Sequence, residues 1–147
     1  MCRKESEKIM VYVLADNIIS PLGDTSEDNY QAVKAGKSAI RAYAPMTDGI
    51  PDGFIASLMS ADFEDLVFRS AGKAIEASGI NVADARSVFI LSSTKGAIEG
   101  LGKDADENLY LGETAQRIAT RLGFTTRPVV VCNACISGSA AMILASR

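Results

Sequence analysis

The 147-residue chain contains no histidine and no tryptophan, and it has only three cysteines. A zinc site built from cysteine and histidine is disfavoured, because Cys2 is remote from Cys132 and Cys135 and no second C-x-x-C supplies further ligands. An odd number of cysteines also fits reduced thiols better than a disulfide framework. We therefore predict neither a metal centre nor a disulfide scaffold.

The sequence also lacks a long apolar run and a cluster of basic residues. No run approaches the roughly 20 apolar residues of a membrane span. The net charge is −3 and the lysines and arginines are scattered, so no footprint for nucleic acid is present. Residues 1–8 are charged and precede only a short apolar run, which does not match a secretory signal. We predict a cytoplasmic protein with no nucleic-acid partner and no membrane anchor.

What the chain does have is apolar content for one ordinary domain. Hydrophobic residues make up 48% of the sequence, and mean hydropathy is +0.13. This share is at the upper end of the usual range for a soluble domain. We interpret the surplus as surface that another part or partner covers.

Apolar periodicity and capping signals divide the chain into alternating strands and helices. We predict strands at 9–15, 86–91 and 129–131, and helices at 26–35, from Asp62 to Gly79, at 114–122 and at 137–145. Residues 37–53 and, more weakly, 54–59 are assigned to loops. Alternation of this kind is typical of an α/β domain with a largely parallel sheet.

Several details follow from the same patterns. The 9–15 run shows no alternation, which is typical of a strand buried on both faces. Thr25 and Asp28 have capping-box spacing at the start of the first helix, where Tyr30 and Val33 are expected to face inward. Polar residues 92–96 follow a strand at the end where open α/β sheets bind ligands, without the glycine spacing of a phosphate loop.

The main candidate for chemistry is Cys135, in the predicted turn between the 129–131 strand and the 137–145 helix. A thiol there faces unpaired N–H groups and the positive end of the helix dipole, and both favour the thiolate. Small residues at 138–140 allow a substrate to approach closely. We predict that Cys135 is a nucleophile and that Cys132, which continues the apolar strand, fills space.

The C-x-x-C spacing of Cys132 and Cys135 leaves a second interpretation open. After a strand and before a helix, such a pair is typical of a thioredoxin-like dithiol. The surrounding chain lacks both the short self-contained α/β pattern of that class and any tryptophan.

Several segments, in the same order along the chain, resemble the β-ketoacyl-[acyl carrier protein] synthases. They are IISPLG at 18–23, GKSAI at 36–40, RIA at 117–119, LG at 122–123 and NACISG at 133–138. Ala15 and Asn17 stand where the family usually has glycines, and residues 92–96 replace a glycine-rich turn, as in a divergent branch. The family uses two histidines from its second half, and this chain has none, so the resemblance covers the N-terminal half only. The chain also stops at Arg147 without a helix stop signal, and we expect residues 1–147 to be a single truncated N-terminal domain.

The resemblance implies a thiolase-like fold, a layered α/β/α arrangement with a largely parallel mixed sheet. It implies a decarboxylative condensation of malonyl-[acyl carrier protein] with an acyl group held on Cys135, in fatty acid or polyketide-like synthesis. The Cys135 N–H would be one oxyanion donor, and Ile136 and Leu101 would border the substrate pocket. The implied partners are an acyl carrier protein and a second copy paired through the strand that ends at Cys132; no cofactor is implied. In the N-terminal half alone, Met142, Ile143 and Leu144 are expected to be under-covered. Another acyltransferase of the thiolase superfamily is a further possibility.

Overall fold

The computed structural model describes residues 10–45, 52–100 and 109–147. The elements in chain order are α1 (Ser26–Lys34), β1 (Arg41–Tyr43), β2 (Phe54–Ala56), α2 (Phe63–Ser78), β3 (Ile90–Ser92), α3 (Leu111–Leu122), β4 (Val129–Val131) and α4 (Ser137–Ala145). Short 3₁₀ turns lie at Ile98–Gly100 and Ala134–Ile136. The predicted α/β class is confirmed.

The described strands form two separate pairs. β1 and β2 are antiparallel, with Arg41 opposite Ala56 and Tyr43 opposite Phe54. β3 and β4 are parallel, in a register that sets Leu91 opposite Val130. The prediction of loop at 37–53 and 54–59 was therefore wrong at both short strands, although residues 46–51 lie outside the described part. The single largely parallel sheet is also not formed by the strands that the structure describes.

The predicted strand at 9–15 is the largest disagreement. Residues 10–15 form no strand and have no strand partner among the described residues, and Met10 to Leu14 are exposed, Val13 at 87%. Residue 9 lies outside the described part. The apolar run fits a strand, but a strand forms only where a second backbone accepts and donates its hydrogen bonds.

The helix boundaries follow local signals closely. Thr25 Oγ1 accepts the Asp28 N–H at 3.0 Å, which confirms Thr25 as the N-cap; the Asp28 carboxylate accepts in return from the Thr25 hydroxyl at 2.6 Å and not from the Thr25 N–H. Asp62 Oδ1 accepts the Asp65 N–H at 2.7 Å at the start of α2. Gly79 ends α2 in the left-handed conformation, at φ 67°. The inward-facing side of α1 was predicted wrongly, because Tyr30 and Val33 are exposed; its buried residues are Asn29 and Ala32.

The core is centred on α3. Thr114, Ala115, Ile118 and Ala119 are all buried on one face of this helix, and Leu91 of β3 is buried as well. α3 packs against α2 and β4. The Arg117 guanidinium and the Glu64 carboxylate form an ion pair between α3 and α2.

Much of the apolar surface remains outside this core. Among the described residues, only five apolar side chains are buried in the core, whereas twenty-one large apolar side chains are exposed. α4 packs against β3 and β4, yet Met142, Ile143 and Leu144 are exposed, Met142 at 68%. The under-coverage expected for these three residues is confirmed. In the part of the chain that the structure describes, no helix has the length and apolarity needed to cross a membrane.

Candidate functional site

Cys135 lies in the connection between β4 and α4. β4 ends at Val131, a 3₁₀ turn spans Ala134–Ile136, and α4 begins at Ser137. The Cys135 thiol is free and exposed. The predicted strand–turn–helix arrangement is confirmed, with the same boundaries for β4 and α4. The thiol therefore lies beside the first turn of a nine-residue helix, where backbone N–H groups lack partners within the helix.

The turn is braced by the side chain of Ser137. The Asn133 N–H donates to Ser137 Oγ at 2.7 Å, and the Ser137 hydroxyl donates to the Ala134 carbonyl at 2.7 Å. Ser137 is only 5% exposed, so the hydroxyl that makes both bonds is largely shielded from water. A third bond, from the Ile136 N–H to the Asn133 carbonyl at 3.1 Å, closes the turn. These bonds fix the backbone on both sides of Cys135.

Ala134, directly before the candidate nucleophile, has a left-handed backbone with φ 46°. It is the only non-glycine residue with positive φ in the part of the chain that the structure describes. A left-handed alanine costs on the order of 1–2 kcal/mol, because its Cβ crowds the following carbonyl. The Ser137 bonds offset this cost and hold the sharp turn that presents Cys135.

Cys132 differs from its predicted role. It lies just past the end of β4 and is exposed, so the interpretation as a buried space-filling residue was wrong. Its Sγ contacts the Thr94 carbonyl oxygen at 4.0 Å. The physical reason is that β4 ends at Val131, as predicted, so the thiol lies beyond the strand and not within it.

Two turns meet at this edge. Because β3 and β4 are parallel, residues 92–96 and the Cys135 turn both follow the carboxyl ends of their strands. The Ser93 N–H donates to the Val131 carbonyl at 3.3 Å, and Ser93 Oγ accepts the Gly96 N–H at 2.9 Å. The expected location of the polar turn at a strand's carboxyl end is confirmed.

The two expected pocket residues have different outcomes. Ile136 is adjacent to Cys135 and 54% exposed, so it offers apolar surface beside the thiol. Leu101 lies outside the described residues.

Sequence reasoning missed the bracing role of Ser137, for which a serine at the first position of the helix was the available signal. It also missed the conformation of Ala134, for which alanine gives no signal. In the described ranges, no three cysteine or carboxylate side chains come together in a group able to hold a metal ion.

The site is thus an exposed thiol on a braced turn between a parallel strand and a helix, beside a second polar turn. Comparison of the chain with models of known protein families, with curated protein sequences and with solved structures found no match.

Proposed function

We propose that Cys135 accepts an acyl group as a thioester, in an acyltransferase of the β-ketoacyl-[acyl carrier protein] synthase type with a thiolase-like fold. The observation that carries this proposal is the braced turn: an exposed thiol between β4 and α4, with left-handed Ala134 before it and buried Ser137 after it. A strained turn at a nucleophile, held by its surroundings, is a recurring feature of catalytic sites. The collinear sequence motifs described above support the same family.

The acyl-transfer step is redox-neutral. The Cys135 sulfur attacks the carbonyl carbon of an acyl thioester on the phosphopantetheine arm of a carrier protein. A bond forms between that carbon and Sγ, and the bond to the carrier sulfur breaks. The proton lost by Cys135 ends on the released carrier thiol.

The helix start supplies the electrostatic part of the step. The tetrahedral intermediate carries a negative oxygen, which backbone N–H groups at a helix N-terminus stabilise. In this proposal the Cys135 N–H is one of the oxyanion donors. The bonds of Ser137 to Asn133 and Ala134 hold that N–H in a fixed direction, so little reorganisation is needed as charge develops.

The second half of the reaction needs groups that this chain does not contain. Loss of carbon dioxide from the malonyl donor is assisted in the family by histidines, and the sequence has none. We therefore expect the purified chain to accept an acyl group without condensing it with malonyl carrier protein. Formation of a β-ketoacyl product by the chain alone would contradict the proposed division of roles.

Intact-mass analysis tests the acylation directly. The chain is incubated with an acyl carrier protein bearing a hexanoyl thioester, and the adduct is mapped by digestion. We expect one hydroxylamine-labile acyl group on Cys135, its loss in Cys135→Ala, and its retention in the matched control Cys132→Ala. Acylation of Cys132 in preference to Cys135, or equal labelling of the two alanine variants, would sink the proposal.

A dithiol redox function is the competing interpretation, because both cysteines of the C-x-x-C pair are free and exposed. It predicts that glutathione disulfide readily converts the pair to an intramolecular disulfide with a measurable reduction potential. The acyl-transfer proposal predicts instead that iodoacetamide labels Cys135 faster than Cys132. Rapid disulfide formation without acylation would favour the redox function.

A further inference from the structure

The structure contains a cleft of about 420 Å³ away from the Cys135 turn. None of the residues of that turn lines this cleft. It lies between the turn at residues 20–24, strand β1, the segment 58–61 and helix α2. Clefts of this size are typical of sites for small molecules. The acyl-transfer chemistry proposed for Cys135 makes no use of it.

One wall of this cleft is fixed by a buried asparagine. Asn29 Nδ2 donates to the carbonyl oxygens of Gly23 at 3.0 Å and Thr25 at 2.8 Å. The backbones of Ser20 and Gly23 exchange hydrogen bonds at 2.9 and 3.0 Å. The turn that carries the lining residues Ser20 and Asp24 is therefore held in one conformation before any ligand arrives.

The charges around the cleft do not cancel. The Asp24 carboxylate is paired with the Arg69 guanidinium at 2.6 Å, and Lys73 Nζ donates to the Asp24 carbonyl at 2.9 Å. Arg41 lines the same cleft, and no described carboxylate lies at ion-pair distance from it. Two arginines thus face the cleft against one carboxylate, in a chain whose net charge is −3. The excess of positive charge favours an anion.

The cleft also has an apolar side. The Tyr43 ring stacks on Phe54 with centroids 5.2 Å apart and planes 14° apart, which fixes its orientation. Leu58 and Met59 line the cleft beside it. A rigid aromatic ring with flexible apolar neighbours suits a flat or apolar ligand body.

We infer that this cleft binds a small organic anion, with its carboxylate or phosphate group on Arg41 and its apolar body against Tyr43 and Met59. Arg69 of α2 also lines the cleft and contributes positive charge while it stays paired with Asp24. The guanidinium of Arg41 can donate two parallel hydrogen bonds to either kind of oxyanion. The shared chemistry is therefore a compact anionic head on an apolar body.

Nuclear magnetic resonance titrations of the labelled chain test the inference with four probes: phenyl phosphate, phenylacetate, inorganic phosphate and the neutral benzyl alcohol. We expect saturable shifts centred on the Arg41 and Tyr43 amides with phenyl phosphate or phenylacetate, and the tighter of the two identifies the anionic head. Inorganic phosphate is expected to bind more weakly, and benzyl alcohol not to saturate. Equal affinity for inorganic and phenyl phosphate would overturn the role given to Tyr43, and saturable binding of benzyl alcohol would overturn the role of charge.

Variants locate the site. Arg41→Gln is expected to weaken binding by about tenfold or more, because the charge-assisted hydrogen bonds are lost. Arg41→Lys keeps the charge and is expected to bind the aromatic anion with intermediate affinity. Binding by this variant also shows that the β1–β2 pair tolerates substitution at position 41. Arg127→Gln, at an exposed arginine outside the cleft, is the matched control and should bind as the wild type does. Unchanged affinity in Arg41→Gln, equal loss in Arg127→Gln, or no saturable binding of either aromatic anion would overturn the inference.

Discussion

The hydroxyl of Ser137 accepts the Asn133 N–H at 2.7 Å and joins the two sides of the turn that carries Cys135. The same hydroxyl donates to the Ala134 carbonyl at 2.7 Å, so one buried side chain satisfies two backbone groups. Buried polar groups that lose such partners are expensive, and this pair of bonds is placed where the backbone is left-handed. Ser137 therefore positions the candidate nucleophile without touching its substrate.

Replacement of Ser137 by alanine should loosen the turn. We expect a loss of about 1–3 kcal/mol in the free energy of unfolding, since two hydrogen bonds worth about 0.5–1.5 kcal/mol each are removed. Acylation of Cys135 should slow by about tenfold or more, because the thiol and the oxyanion donor are no longer held together. Urea denaturation and the rate of adduct formation measure the two effects.

The control for this change is Ser139→Ala, which alters an exposed serine on the same helix. Its stability and acylation rate should match those of the wild type. Ser137→Thr keeps the hydroxyl and should recover part of the acylation rate. An unchanged rate in Ser137→Ala would show that the serine has a structural role only.

Ile118 is the largest fully buried side chain of the described core, at 1% exposure. Ile118→Ala should lower the free energy of unfolding by about 2–5 kcal/mol, through lost apolar burial and the cavity that remains. Ile80→Ala removes the same atoms from a side chain that is 42% exposed, and its effect should be below about 1 kcal/mol. Similar unfolding midpoints for the two variants would mean that the core is not centred on α3.

The ion pair between Arg117 and Glu64 connects α3 to α2. Arg117 Nε donates to Glu64 Oε1 at 3.0 Å, and the Nη2 group contacts the same carboxylate. Both side chains are half-buried, so solvent screens the pair only in part. A double-mutant cycle with Glu64→Gln and Arg117→Gln should give a coupling energy of about 1 kcal/mol.

The pair formed by Arg121 and Asp65 connects the same two helices and is the matched comparison. Its closest approach is 3.4 Å and Arg121 is more exposed, so its coupling should be at most about 0.5 kcal/mol. Added salt should reduce the coupling of this pair more than that of Arg117 and Glu64. The reverse order of coupling energies would contradict the assignment of Arg117 to the helix interface.

Local signals explain which parts of the fold were predictable. The starts of α1 and α2 and the end of α2 were predicted because a cap depends on residues within a few positions, such as Thr25 with Asp28, Asp62 with Asp65, and Gly79 at its own left-handed backbone. The position of Cys135 before α4 was predictable from the apolar run at 129–131 and the small residues at 138–140, although the start of α4 has no side-chain cap. Patterns that span only a few neighbouring residues therefore predicted where the candidate site lies.

The errors concern contacts between distant segments. Residues 10–15 have the apolar pattern of a buried strand, but the described backbone gives them no partner, and no local pattern reports that. The three-residue strands β1 and β2 are too short for a periodicity to be recognised, and their pairing is set by the Tyr43–Phe54 stack. The exposure of Cys132 depended on where β4 ends, and strand ends are poorly defined by an apolar run.

The exposed apolar face of α4 is expected to drive self-association. Met142, Ile143 and Leu144 are exposed on α4, and α4 packs on β4, which pairs only with β3 among the described strands. Exposed apolar area of this kind favours association by about 25 cal/mol for each Å² that is covered. We expect a homo-oligomer, in the simplest case a dimer formed along β4 and the adjoining face of α4. Light scattering over a dilution series should show a mass that falls with concentration. Ile143→Lys places a charge on this face and should shift the chain toward monomer, whereas Val33→Lys, at an exposed position on α1, should not. A persistent monomer with a cooperative melt, or equal effects of the two lysine variants, would count against association through this face.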